Sequence, residues 1–242
     1  MGQRNRRPLS NILFIHHVSS FTGGAEKYLY DLVSVLDRDH KVYFIAQEPG
    51  SLATHLNQLG VSPSFQKFPA YRRVKFFFSK WVALWQLIKF CRLHQIDLIC
   101  SNSYRVTPYA VKVAKFLKVP SVTIVHDFVP GEKLNKFFVF DCNLLVTVSH
   151  SLHKEWEHRF KRKIMTVHNG MDIDKFVLKA DQIKSLREEY DIPLTHKIVG
   201  MVGNFAPVKG HRLFLEAMKE VRASFPEVTF VVVGDSLGVK NF

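Results

Sequence analysis

Cysteine is scarce in this chain. Only Cys91, Cys100 and Cys142 occur, and no two of them form a Cys-x-x-Cys pair. That argues against a disulfide framework or a paired-thiol metal site and leaves buried thiols in a reducing compartment. Acidic residues are also few: 21 Asp and Glu stand against 34 Lys and Arg, for a net charge of +13. Such a balance favours acidic partners, namely phosphorylated ligands, an anionic membrane surface or nucleic acid. Nucleic acid would call for an RNA-recognition, KH or helix-turn-helix pattern, and none is present. No run of about 18 apolar residues occurs, so no segment reads as a membrane span. The basic start MGQRNRRPLSN lacks the apolar segment and small-residue cleavage site of a secretory leader. Arg6 also stands where a myristoylation signal needs Ser or Thr. The expected location is cytoplasmic. The 12 histidines are scattered, with no His-Glu-x-x-His pattern, so neither a metal nor another cofactor is expected. A Gly-x-Ser-x-Gly nucleophile turn is likewise missing.

What the chain does have is apolar residues, at 47%, enough to build a core. They come in short continuous runs alternating with helix-period segments. Asn11–His17, Lys41–Ala46, Ser62–Phe68, Ile96–Cys100, Pro120–Val125, Asn143–Val148 and Lys163–Val167 read as strands. Helical spacing covers 25–36, 52–59, 106–117 and the later part of 71–94. Ser149 is placed to cap the helix that follows it. This order predicts an α/β fold, a mostly parallel sheet with helices on both faces. Function in such folds collects in the loops after strand carboxyl ends. The polar residues lie there: His16, His17, Gly23, Gly24, Asn102, His126, Asp127, Ser149, Asn169 and Gly170.

The richest stretch is Ile198–Asp235. It reads as a strand, a Gly-bearing turn, an amphipathic helix and a second strand ending in Gly-Asp. A unit of this kind makes a phosphate site from backbone amides and a helix N-terminus, and Lys209 in its turn could meet a pyrophosphate. So few strands cannot close a core, so this is expected to be the unfinished start of a second domain. Gly23-Gly24 ahead of a helix would let amides approach a phosphate or a sugar; the alternative is a tight turn needing positive φ. Glu26 reads as a first-turn residue favoured by the helix dipole. The segment 71–95 mixes cations with Phe and Trp. Trp81, Leu84, Trp85, Leu87, Ile88 and Cys91 would form one apolar face, with Arg72, Arg73, Lys75 and Lys80 at its start. It is either a core helix with a basic edge or a helix lying on an anionic membrane.

Taken together, the pieces resemble glycosyltransferase family 4. They are Gly23–Glu26, Val125–Asp127, Thr147–Leu152, Val167–Phe176, Val202–Gly210 and Val231–Ser236, and it is their order over about residues 11–236 that carries the resemblance. The resemblance implies a GT-B fold of two Rossmann-like domains. Residues 1–169 would be the acceptor-side domain, 170–197 a linker, and 198–242 the start of the nucleotide-sugar domain. It implies transfer of a hexose from a nucleotide-sugar to a sugar or lipid-linked acceptor, with retention and without a metal. His126 would be catalytic, near the reacting sugar. Gly23, Gly24, Asn102 and Asp127 would bind substrate, and Lys209, Gly210 and Asn204 the donor phosphates. Asn204 stands where the family usually carries an Arg, and the family's later Glu-x7-Glu segment does not occur. A chain inactive alone, completed by self-association or by a separate second half, is therefore the alternative expectation.

Overall fold

The computed structural model describes residues 9–71, 76–128, 141–177 and 185–235. Arg72, Arg73 and Lys75 lie outside the described residues, as do part of the charged helix read at 182–190 and Ser236. The chain divides into two compact units, residues 1–171 and 172–242.

The first unit alternates strands and helices: β1 (Asn11–Ile15), α1 (Gly24–Leu36), β2 (Lys41–Ala46), α2 (Ser51–Gln58), β3 (Pro63–Phe65), α3 (Phe77–Leu93), β4 (Leu98–Ser101), α4 (Thr107–Leu117), β5 (Ser121–Val125), β6 (Leu144–Thr147), α5 (His150–Glu157) and β7 (Lys163–Thr166). The strands form one seven-stranded sheet in the order β3-β2-β1-β4-β5-β6-β7, and every pairing is parallel. The expected parallel α/β sheet is therefore present. Pro63 opens the edge strand β3, where a missing amide costs no ladder bond.

Strand alternation sorts the core. Ile12 and Phe14 of β1 pack towards α1 and α2, while Leu13 and Ile15 pack towards α3 and α4. Trp156 of α5 and Leu145 of β6 centre a third cluster. Ser149 caps α5 as its position suggested, accepting a hydrogen bond from the Leu152 amide at 3.2 Å. Cys91, Cys100 and Cys142 are buried thiols, pushed by burial to pKa values of about 12, 12 and 11.

Helix α3 corrects one reading. Leu87 and Cys91 are buried with Ala83, and Leu84 and Ile88 pack partly against the same cluster. Trp81 and Trp85, expected on that face, are instead 61% and 62% exposed. The helix carries apolar residues around most of its circumference, so helical period alone could not choose its inner side.

The second unit holds the short helix α6 (Leu186–Glu189), β8 (Lys197–Val202), a 3-10 turn (Pro207–Lys209), α7 (His211–Ser224) and β9 (Val228–Val233). β8 and β9 pair in parallel, completing the strand-helix-strand unit read from sequence. At Gly234 an added Cβ would stand 2.1 Å from the Gly203 carbonyl oxygen, so only glycine lets the two strand ends approach this closely.

Candidate functional site

A parallel sheet puts all its strand carboxyl ends on one edge. The strand order here reverses between β1 and β4, which opens a crevice beyond those ends. His16 follows β1, Asn102 follows β4 and His126 follows β5, so the crossovers bring together residues far apart in the chain.

Asn102 is the hub. Its amide nitrogen donates to the Ala25 carbonyl at 3.0 Å and lies 3.4 Å from His16 Nδ1. That orientation turns Oδ1 to His126, whose Nε2 donates to it at 2.8 Å. The proton positions follow. Nδ1 of His16 faces a donor, so its Nε2 carries the proton and donates to Glu26 Oε1 at 2.8 Å. With Nε2 of His126 committed to Asn102, Nδ1 of a neutral His126 is a bare acceptor.

The charges are arranged around this hub. Glu26 is buried in the first turn of α1. Burial alone would raise its pKa, but hydrogen bonds from His16, from its own amide and from the Thr22 hydroxyl outweigh that, and its pKa is lowered. His126 is held at about 4, chiefly by burial. His17 is held at about 4, first by burial and then by the nearby charge of Arg105. Its Nδ1 is buried with no partner among the described residues.

These shifts set a pH dependence. Both folded histidine values lie below the unfolded 6.5. The unfolded chain therefore binds more protons between those limits. Stability is full above pH 6.5 and is lost as the pH falls towards 4. Allowing for their residual solvent contact, the two histidines together should account for roughly 2–4 kcal/mol. Thermal melts between pH 7 and 4.5 should show the decline, and His126→Gln should flatten it.

The other expected residues fall as follows. Asp127 is exposed, and Asn102 rather than Asp127 is the partner found for His126. Gly23 and Gly24 sit exposed at the start of α1. The positive-φ turn considered for them is not what forms: Gly23 is extended, at φ −177°. A Cβ on Gly23 would meet only Glu26 Oε2 at 3.8 Å, and one on Gly24 would meet nothing within 4 Å. Neither backbone conformation nor packing within the chain demands glycine at these two positions.

In the second unit Lys209 is exposed and ends the 3-10 turn, directly before the helix. Gly210 has φ +77°, so the backbone itself requires glycine there. Asn204 is half-buried in the turn after β8. Among the described residues there is no group of three His, Cys, Asp or Glu side chains able to hold a metal ion.

The Glu26–His16 pair was not legible in the sequence. The two residues are ten apart with no motif between them, and only the fold of the β1–α1 loop closes the distance.

The comparisons with known proteins agree with this architecture. The model for Glycosyltransferase Family 4 matches residues 22–175, and that for Glycosyl transferases group 1 matches residues 182–242. No curated protein matches the chain. Among solved structures, Anabaena Alr3699/HepE in complex with UDP is 19% identical with a TM-score of 0.75, covering 93% of this chain and 61% of that one. A glycosyltransferase from Rickettsia africae ESF-5 is 15% identical with a TM-score of 0.69, covering 95% of this chain and 69% of that one. Sucrose-phosphate synthase from Thermosynechococcus elongatus is 15% identical with a TM-score of 0.65, covering 96% of this chain and 64% of that one. At such identities the likeness is one of fold, and the chain spans about three fifths of the length of the Anabaena structure. Two family models together cover most of the chain, in the order of its two units: it belongs to glycosyltransferase family 4, among the GT-B glycosyltransferases.

Proposed function

We propose that this chain supplies the acceptor side, and the first elements of the nucleotide side, of a retaining hexosyltransferase. The donor is a nucleotide-sugar. The acceptor is a sugar or lipid-linked hydroxyl in polysaccharide, lipopolysaccharide or glycolipid synthesis. The observation that carries this reading is the pair Gly23-Gly24. No internal contact or dihedral angle calls for glycine, so the open space before the first-turn amides is left for a ligand.

The acceptor oxygen forms the new bond to the anomeric carbon as the bond from that carbon to the diphosphate oxygen breaks. The acceptor proton leaves with the departing diphosphate. His126, neutral near pH 7, takes a hydrogen bond from a sugar hydroxyl at Nδ1 and thereby orients the sugar. Asn102 holds that ring in place, and Asp127 offers a second acceptor on the same loop. Charge on the leaving diphosphate grows during the reaction. Lys209 and the N-terminus of α7, which opens just after Gly210, oppose it, with Asn204 donating a hydrogen bond.

UDP and UDP-glucose, the ligands of the Anabaena structures, are the first probes. Lys209→Ala should weaken UDP affinity about tenfold, the value of roughly one charge-assisted hydrogen bond. Titration calorimetry reads this directly. Unchanged affinity would remove Lys209 from the phosphate site.

A second reading has its own observation. Val202, Leu213, Leu215, Phe225 and Val233 in the second unit are all more than half exposed. Apolar surface of that extent calls for a cover. In this reading the chain is one half of a split enzyme, through self-association or a separate polypeptide. Transfer from UDP-glucose that appears only when a second-half polypeptide is added would select it.

A further inference from the structure

We propose that the outer face of α3 docks on an anionic membrane surface. The proposal goes beyond the reaction above and does not rest on it.

Helix α3 buries Ala83, Leu87 and Cys91 and turns five large apolar side chains outward. Phe77, Phe78, Trp81, Val82 and Trp85 are 56%, 83%, 61%, 53% and 62% exposed. Their spacing, i, i+1, i+4, i+5 and i+8, places them on one stripe over about two turns. Ring contacts join Phe77 to Phe78 and to Trp81, so the patch is continuous. Scattered exposed apolar residues need no explanation, but a contiguous aromatic stripe does.

Charge decides between the possible occupants. No Asp or Glu occurs between Glu48 and Asp97. Asp97 itself is held by the Asn11 amide at 2.8 Å. The helix carries Lys80, Lys89 and Arg92, and α4, packed beside it, adds Lys112, which shares the Tyr71 ring with Lys80. Several of these cations rest on rings. Lys89 Nζ is 5.5 Å from the Trp85 ring, and the Arg92 guanidinium is 5.6 Å from the exposed Phe116 ring. Aromatic side chains flanked by long cations suit the headgroup region of a bilayer, where rings enter and ammonium groups meet phosphates. A second copy of this face would instead bring two sets of like charges together, since a twofold contact pairs a patch with itself. Among the described residues no helix is long and apolar enough to cross the bilayer, so the contact lies in the surface plane.

The test uses the 242-residue chain with vesicles of phosphatidylcholine, with and without phosphatidylglycerol. The third tryptophan, Trp156, is only 1% exposed, so changes in emission report on Trp81 and Trp85. The chain should sediment with the anionic vesicles, its emission should move to the blue, and brominated acyl chains should quench it. Trp81→Ala with Trp85→Ala, and separately Lys80→Glu with Lys89→Glu, should each weaken binding by on the order of tenfold or more. Circular dichroism should be unchanged for both doubles, because the side chains are outside the core. Three outcomes would overturn the proposal: no binding of the parent chain, equal binding by the doubles, or equal binding to neutral vesicles. A dimer broken by the tryptophan double, in a chain that ignores vesicles, would reassign the stripe to self-association.

Discussion

Replacing His126 by alanine should lower kcat of the active glycosyltransferase by about two orders of magnitude. The expectation comes from its environment. The ring stands at the carboxyl end of β5, its pKa is held at about 4, and its Nε2 is already engaged by Asn102. At neutral pH it is therefore a positioned acceptor through Nδ1, not a proton donor. Two consequences separate this role from a general acid. The pH–rate profile should not show a step near 6.5 belonging to this residue. His126→Asn, whose Oδ1 falls near the place of Nδ1, should recover part of the rate. Steady-state transfer measurements with a calorimetric check of folding would decide, and an unchanged kcat would remove the histidine from the chemistry.

The second large effect is on stability. Asn102→Ala removes the group that joins Ala25, His16 and His126, and Asn102 is 1% exposed. The carbonyl of Ala25 and two imidazole nitrogens would lose their partner. At about 1–3 kcal/mol for each strongly bound buried group, a total near 3 kcal/mol is expected. For a chain of this length that lowers Tm by roughly 6–12 °C. Asn102→Asp makes a different prediction. A carboxylate beside Nε2 should raise the pKa of His126 from about 4, which proton NMR of the ring would follow. A His126 titration that does not move would mean that Asn102 is not its neighbour in solution.

Some parts of the candidate site were legible in advance. His126, Asn102 and Gly23-Gly24 each stand just after an apolar run or just before a helical one. A parallel sheet brings such positions to one edge whatever else the chain does. The pairings were not legible. His16 and His17 look alike in sequence, yet His16 is fully enclosed against Glu26 while His17 leaves Nδ1 without a partner among the described residues. Asp127 sits next to His126 in the chain, yet Asn102, 24 residues away, takes the bond.

Local pattern alone determined the alternation of strand and helix, the parallel sheet and the strand-helix-strand unit around Lys209. Those follow from hydrophobic period and from the backbone preferences of short segments, which act over a few residues. The tertiary structure alone decided which histidine meets Glu26, what holds His126, and which side of α3 faces water. Strand order sets the first two, because β1, β4 and β5 become neighbours only once the crossovers are made. Competition among several equally apolar helix faces sets the third. The stripe that fits the sheet is buried, and Trp81 and Trp85 are left outside.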